Sequence, residues 1–244
     1  MTANQPLVSL LIRSMDRPTL DRALDSAAAQ SWSNLEIVVV AACGQRHRPM
    51  PDTWKGKPLR FVVPDPDAIL SRPEAANACL ASARGEWLNF LDDDDELLPD
   101  HVKSLLEVSR VSDVRVLYSS ARIHDLDGKL VGYSGREGMH IQLYNQNRNQ
   151  PVATLFHRSL IDEGARFDPT VPIYEDHDFF LNCATRTPFQ WVQVASCIWN
   201  GFSGDSGCGF GENSNDSERE SYYVRLREKW KTAFDRWKSE PESL

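Results

Sequence analysis

The sequence predicts an α/β fold, with an open, mostly parallel sheet and helices on both of its faces. Three observations carry that expectation. Short apolar runs with few polar breaks recur at residues 7–12, 35–40, 59–63 and 87–91, and such runs mark strands buried on both faces. Segments with helical spacing of apolar residues alternate with them, as in parallel sheets joined by crossover helices. The chain has 244 residues, 41% of them hydrophobic, which suits one large domain or two lobes sharing a core.

Residues 7–12 form the first strand, and the polar segment 13–17 is the loop that ends it. Thr19 stands where a helix cap belongs, ahead of Leu20, Ala23, Leu24, Ala27 and Ala28 at helical spacing. Residues 35–40 form a second strand, and 41–57, rich in Pro, Gly and Arg, a loop. Residues 59–63 form a third strand. Residues 73–83 form a helix of small side chains, stopped by Gly85. Residues 87–91 form a fourth strand, with Asp92, Asp93, Asp94 and Asp95 at its carboxyl end. Residues 99–108 return to helix. Further on, 114–124 and 129–133 form a hairpin around Asp127-Gly128. Residues 152–157 form a strand, 159–163 a short helix, 175–184 a helix and 191–199 a last strand. Residues 201–217 are dense in Gly, Ser, Asn and Asp and read as a flexible loop. Residues 218–237 form one amphipathic helix, with Tyr222, Leu226, Trp230, Ala233, Phe234 and Trp237 on its apolar face.

The net charge of −8 argues against a nucleic-acid surface, which needs clustered Lys and Arg. Cys43, Cys79, Cys183, Cys197 and Cys208 are odd in number and widely spaced. They signal neither a zinc site nor a disulfide framework, and reduced thiols in the cytoplasm are the simplest reading. The first residues lack the basic start of a signal peptide, and no apolar run approaches the roughly 20 residues that span a bilayer. The expected location is cytoplasmic, with any work at a membrane peripheral to its inner face.

In open α/β sheets, ligands bind beyond the carboxyl ends of the strands. Residues 13–17, 41–47 and 92–95 all end strands there and should converge on one crevice. Four adjacent carboxylates repel one another unless they are solvated, hydrogen-bonded or neutralised by a cation. Asp92 and Asp94 are spaced to suit a hard divalent cation that bridges a diphosphate. On the run alone, a solvated acidic turn with Asp95 capping the next helix accounts for it equally well.

The segment Gly85-Glu86-Trp87-Leu88-Asn89-Phe90-Leu91-Asp92-Asp93-Asp94-Asp95, followed by Pro99-Asp100-His101, resembles the core signature of family 2 glycosyltransferases with the GT-A fold. Other pieces follow in that family's order. They are Val8–Ile12 with Asp16-Arg17-Pro18, Ala27–Trp32 with Asn34–Val40, Pro151–Arg158, and Glu175–Leu181. The resemblance spans about residues 6 to 200, and five ordered motifs are far more specific than any one.

The resemblance implies a GT-A (Rossmann-like) fold extended by a C-terminal loop and helix. Residues 1–115 become the nucleotide-sugar-binding half, 116–200 the acceptor-side half, and 201–244 the Gly/Ser-rich loop and amphipathic helix. It implies an inverting, metal-assisted transfer of a single sugar from a nucleotide-diphosphate-sugar donor to a saccharide or other hydroxyl acceptor. Mn²⁺ or Mg²⁺ is the implied cofactor. Asp94 and Asp92 map onto the metal site, Asp92 and Asp93 onto donor contacts. Asp176 maps onto the general base, with Glu175 and Asp178 as fallbacks. Read alone, these three are first-turn helix carboxylates favoured by the helix dipole. Ser14, Asp16, Arg13, Arg72 and Asn77 complete the donor-side set.

The chain also departs from the family. Ala41-Ala42-Cys43-Gly44 replaces the usual Asp-Asp-Gly-Ser, so the uracil-reading carboxylate is missing. Ala76-Asn77 replaces Arg-Asn, with Arg72 four residues earlier as a substitute if Pro73 opens the helix. Arg13 stands where a proline is usual. Arg13 and Arg72 also read as plain surface charges. In the 201–217 loop the usual histidine is absent, with Asp205 or Asn200 as its replacement and a plain linker as the other reading. Cys208 has no nearby histidine to activate it. Two alternatives remain: a catalytically lapsed nucleotide-sugar or metal-binding module, and a nucleotidyltransferase, whose Gly-rich, lysine-bearing loop is missing.

Overall fold

A computed structural model describes residues 5–109, 113–138, 143, 150–203, 209–211 and 216–239. Strands β1 (Val8–Ser14), β2 (Leu35–Ala41), β4 (Lys57–Val62) and β5 (Trp87–Phe90) form the parallel half of one sheet. The chain first runs outward from β1 to β2 and β4, then crosses back to lay β5 on the other side of β1. The switch point of the sheet therefore lies between β1 and β5, where a crevice opens beyond the strand ends.

The other half is mixed. β9 (Thr154–His157) pairs antiparallel with both β5 and β7 (Val116–His124), and β10 (Phe189–Trp199) pairs parallel with β7. Two antiparallel steps restore the original direction, so β4, β2, β1, β5, β7 and β10 all send their carboxyl ends to one rim. β8 (Leu130–Ser134) folds back on β7 as the expected hairpin arm. Two short strands, β3 (Thr53–Trp54) and β6 (Glu96–Leu97), edge the sheet and carry no periodicity to predict them.

Helices α1 (Leu20–Ala28) and α3 (His101–Ser109) cover one face, where Leu24, Ala27, Val102 and Leu105 meet Leu10, Ile12 and Val39. Helices α2 (Arg72–Ser82) and α5 (Glu175–Ala184) cover the other, where Ala76, Cys79, Phe179 and Leu181 meet Leu11, Val38 and Phe90. A short helix, α4 (Ser159–Asp162), lies between β9 and α5. Cys43, Cys79, Cys183 and Cys197 are buried free thiols, and Cys208 lies outside the described residues. No described helix is long and apolar enough to cross a membrane.

Three local expectations need correction. Thr19 precedes α1 in a helical conformation and makes no side-chain cap; its hydroxyl is buried without a partner. Arg72 rather than Pro73 opens α2, because Ser71 and Glu74 close a reciprocal capping box one residue earlier. The single C-terminal helix is two, α6 (Asp216–Lys229) and α7 (Lys231–Ser239), broken at Trp230. The Trp230 indole donates to Asp178 at 2.8 Å, while its backbone keeps helical bonds to Leu226 and Phe234. The side chain of Trp237 lies outside the described residues.

Candidate active site

Arg13, at the end of β1, links the two acidic motifs. Its Nη2 and Nε donate to Oδ1 of Asp92 at 2.7 and 3.1 Å, and its Nη1 donates to Oε1 of Glu175 at 2.7 Å. The side chain is 11% exposed and that of Glu175 is 4% exposed. Burial opposes the guanidinium charge, but Asp92 and Glu175 outweigh it and hold Arg13 firmly protonated. Burial likewise opposes the charge of Asp92, and Arg13 overcomes it to keep that carboxyl below its ordinary range. Glu175 goes the other way: burial raises it despite Arg13. The plain-surface-charge reading of Arg13 is thereby excluded.

The rest of the acidic run divides by partner. Asp93 is 2% exposed and holds the loop after β1, accepting from Met15 N at 3.1 Å and Arg17 Nη1 at 3.0 Å. Asp94 accepts from the Ser203 hydroxyl at 3.0 Å, and its backbone carbonyl accepts from Asn200 Nδ2 at 2.6 Å. Asp95 accepts from Asn200 N at 2.9 Å, tying the run to the chain beyond β10. Burial raises all three carboxyls, with mutual repulsion adding to it for each. Asp205, the other expected replacement for the histidine, lies outside the described residues.

Ser14 and Asp16 build the loop that carries Arg13 and Arg17. The Ser14 hydroxyl accepts from Asp16 N at 3.0 Å and contacts His47 Nε2 at 2.8 Å. Asp16 takes a left-handed backbone at φ 60° and accepts from Arg48 N at 2.9 Å. Arg17 and His47 belong to this network without having been picked out as site residues. Four adjacent carboxylates needing nearby cations were the signal for Arg17; the His47 contact joins residues 33 apart and leaves no local mark.

Arg13, Arg17, Arg72, the carboxylates of Asp92–Asp95, and Glu175-Asp176 line one cavity of about 730 Å³ beyond the strand ends. Ala42 lines it too, so the chain after β2 converges there as expected, without a carboxylate. Arg72 reaches it from the first turn of α2, forms no ion pair with a described residue, and acts electrostatically on Asp92 and Glu175. Asp176 sits in the first turn of α5 and accepts from His177 N at 2.8 Å. Tyr174, just before it, is held left-handed at φ 59°, a conformation costly for a bulky side chain and typical of functional turns.

Four expected site residues lie outside that cavity wall: Ser14 and Asp16, which shape the loop after β1, and Asn77 and Asp178. Asn77 clamps the backbone of Phe167, donating to its carbonyl at 2.9 Å and accepting from its N–H at 3.1 Å. Both ends of its amide are thus used by the fold rather than by a donor. Asp178 is buried beneath α6, where Lys229 Nζ and Trp230 Nε1 each donate to it at 2.8 Å. Its side chain is 1% exposed, so it is closed to an acceptor hydroxyl.

The family model for glycosyl transferase family 2 matches residues 65–164, which include the acidic run. An uncharacterized glycosyltransferase, YwdF of Bacillus subtilis, is 27% identical over 91% of this chain and 83% of that protein. The succinoglycan biosynthesis protein ExoO of Rhizobium meliloti is 30% identical over 46% of this chain and 32% of that protein. Among solved structures, TarS of S. aureus, in complex with UDP-GlcNAc, aligns with a TM-score of 0.64 at 17% identity. That alignment covers 82% of this chain and 60% of the TarS chain. A mannosyltransferase of Pyrobaculum calidifontis, with GDP-Man and Mn²⁺, aligns with a TM-score of 0.59 at 14% identity, covering 84% of this chain and 60% of that one. At these identities the structural likeness speaks for the fold, while the family match and the sequence relatives speak for descent. Together they make glycosyl transferase family 2 the family that this chain resembles, and its fold that of the GT-A glycosyltransferases.

Proposed function

We propose that the chain moves a single sugar from a nucleotide-diphosphate-sugar to a saccharide or other hydroxyl acceptor, inverting the anomeric carbon with help from Mn²⁺ or Mg²⁺. The observation that supports this is the shared cavity. Its volume of about 730 Å³ falls in the range of small-molecule sites, and donor-side carboxylates and Asp176 line the same space.

The donor set suits a hard cation. Asp92 uses one oxygen for Arg13, and Asp94 uses one for Ser203 and Arg17. The other oxygen of each has no hydrogen-bond partner among the described residues. A hard divalent cation needs only one or two protein carboxylates and completes its shell with phosphate and water. Such a cation, when bound, neutralises charge on the leaving diphosphate. Arg17 and Arg72 add fixed positive charge on the same wall.

On the acceptor side, Asp176 takes the hydroxyl proton as that oxygen attacks the anomeric carbon from the face opposite the diphosphate. One displacement inverts the centre. Glu175 is committed to Arg13 and orients the first turn of α5, which carries Asp176. The names of ExoO and of the putative colanic acid biosynthesis glycosyl transferase WcaA of Escherichia coli support a role in assembling a cell-surface polysaccharide.

Calorimetry with a panel of nucleoside diphosphates, with and without Mn²⁺, tests the donor site, and proton NMR of the product tests inversion. The expected result is cation-dependent nucleotide binding and a product of inverted anomeric configuration. Absence of any cation-dependent nucleotide binding would sink the proposal. Binding without turnover would favour a lapsed module, the reading to which Ala42 in the cavity wall lends weight.

A further inference from the structure

The chain after β2, together with helix α2, gives the cavity an apolar wall. The residues it places there are Ala42, Leu70, Arg72 and Ala75. Of these Arg72 alone is polar, and a guanidinium donates hydrogen bonds without accepting any. The main chain of Ala42 is already taken up: its N–H donates to Ser14 O and its carbonyl accepts from Leu70 N, both at 2.8 Å. Gly44 fixes this arrangement. It is left-handed at φ 62°, and a Cβ there would fall 2.5 Å from Pro66 O and 2.8 Å from Ala68 O. Beside it, Gln45 N donates to Pro66 O at 2.9 Å. The two segments are thereby zipped together, and Leu70, packed against the core, stays next to Ala42.

We infer that the donor's base is thymine and that Ala42 and Leu70 select it. The inference rests on the donor reading of the same cavity. In the sheet, β1 stands between β5 and β2, so Arg17 lies between the acidic run and this wall, and Arg72 is on the wall itself. A diphosphate drawn to these two cations leaves its nucleoside beyond them, against Ala42 and Leu70, and its sugar on the side of Asp176. Cytosine, adenine and guanine each carry an exocyclic amine, whose N–H groups would lose water and meet no acceptor side chain on this wall. Uracil and thymine have the fewest N–H donors to leave unmet, and they present carbonyl oxygens to which Arg72 can donate. Their ring N–H is common to both and does not separate them. The ring methyl does, because thymine buries it against the Ala42 methyl and the Leu70 side chain while uracil has none. Burying one such group gains about fourfold in affinity.

The test is calorimetry on the full chain with Mn²⁺ present. dTDP is compared with dUDP, and ribothymidine diphosphate with UDP, so that each pair differs by the ring methyl alone. CDP, ADP and GDP complete the set. The methylated member of each pair should bind about fourfold more tightly, and the three amine-bearing nucleotides more weakly than UDP. Leu70→Ser should bring both methyl ratios close to one and leave UDP within about twofold of its affinity for the parent. Thermal melting checks that this variant is folded, and the matched pairs are read in the parent chain, so the result does not hang on any variant. Pairs that bind alike would overturn the inference while leaving the donor reading standing. Tighter binding of CDP, ADP or GDP than of dTDP would do the same. Methyl ratios that persist in folded Leu70→Ser would overturn the assignment to this wall. A chain that binds none of these nucleotides, with or without Mn²⁺, would remove the donor reading and the inference together.

Discussion

Replacing Arg13 by glutamine should cost the fold about 3 kcal/mol at neutral pH, and more at alkaline pH than at acid pH. The magnitude follows from the burial of its partners. Breaking a buried ion pair from one side typically costs about 3–5 kcal/mol. Glu175, with a side chain 4% exposed, loses its cation with no water to replace it. Asp92, with a side chain 31% exposed, regains water and Arg72 and adds little. Only one partner therefore counts in full, which puts the cost at the lower end.

The pH dependence has a definite sign. Burial raises the carboxyl of Glu175 above its ordinary 4.5 even with Arg13 present. The native state therefore binds this proton more tightly than the unfolded chain does, and stability from this group falls as pH rises from 4.5 through the folded value. Without Arg13 the folded value climbs further and the window of loss widens upward. Urea denaturation at pH 5 and pH 8 reads the difference, and at neutral pH the melting point should drop by about 6–12 °C. The double variant Arg13→Gln with Glu175→Gln should recover most of the loss, because a neutral amide pair can hydrogen-bond in the same place. A loss below about 1 kcal/mol, or one equal at pH 5 and pH 8, would refute the reasoning.

The remaining predictions concern chemistry and acid stability. Asp94→Asn should abolish the Mn²⁺-dependent part of nucleotide binding, measured by calorimetry, and leave the melting point within about 1 kcal/mol of the parent in free energy. Asp176→Asn should keep that binding and lower sugar transfer by about 10²–10⁴-fold in a radiolabelled-donor assay; retained transfer would move the base elsewhere. His101 is buried and its ring is pushed down to about 3 by burial, while Nδ1 contacts the Ser196 hydroxyl at 2.7 Å. Its folded value lies below its unfolded one, so its contribution is whole above pH 6.5 and is lost on acidification. His101→Gln should remove up to about 1.4 kcal/mol per pH unit from the acid dependence of unfolding between pH 6.5 and 4.

Much of the fold was legible because its strands are buried on both faces. Val38, Val39 and Val40 leave no ambiguity about a central strand. What escaped had either too few residues or a distant partner. Thr53–Trp54 and Glu96–Leu97 are two-residue strands with no period to detect. The break at Trp230 has no Gly or Pro to announce it, and the partner of its indole, Asp178, lies 52 positions away. The same holds at the site. The acidic run and Glu175-Asp176 stood out as charge placed at element ends, where solvation is poor. Asn77 looked like a donor contact because its real partner, Phe167, is 90 residues away. Asp178 looked like a spare base because nothing in its own helix reveals that α6 covers it.

The six strands that share a direction divide labour between sheet and rim. Their interiors, from Leu10 to Ile37 to Leu117, are fully buried and tolerate little change in volume. The loops at the rim pack against one another mainly through hydrogen bonds and ion pairs. Segments after β1, β2, β5, β8 and β10, with the start of α5, all line the cavity, and the Arg13–Glu175 and Asp95–Asn200 contacts tie some of them together. A lineage can therefore change a rim side chain that makes no such bond while the sheet beneath stays as it was. Ala42, which lines the cavity with only a methyl group, is a place where such a change is local.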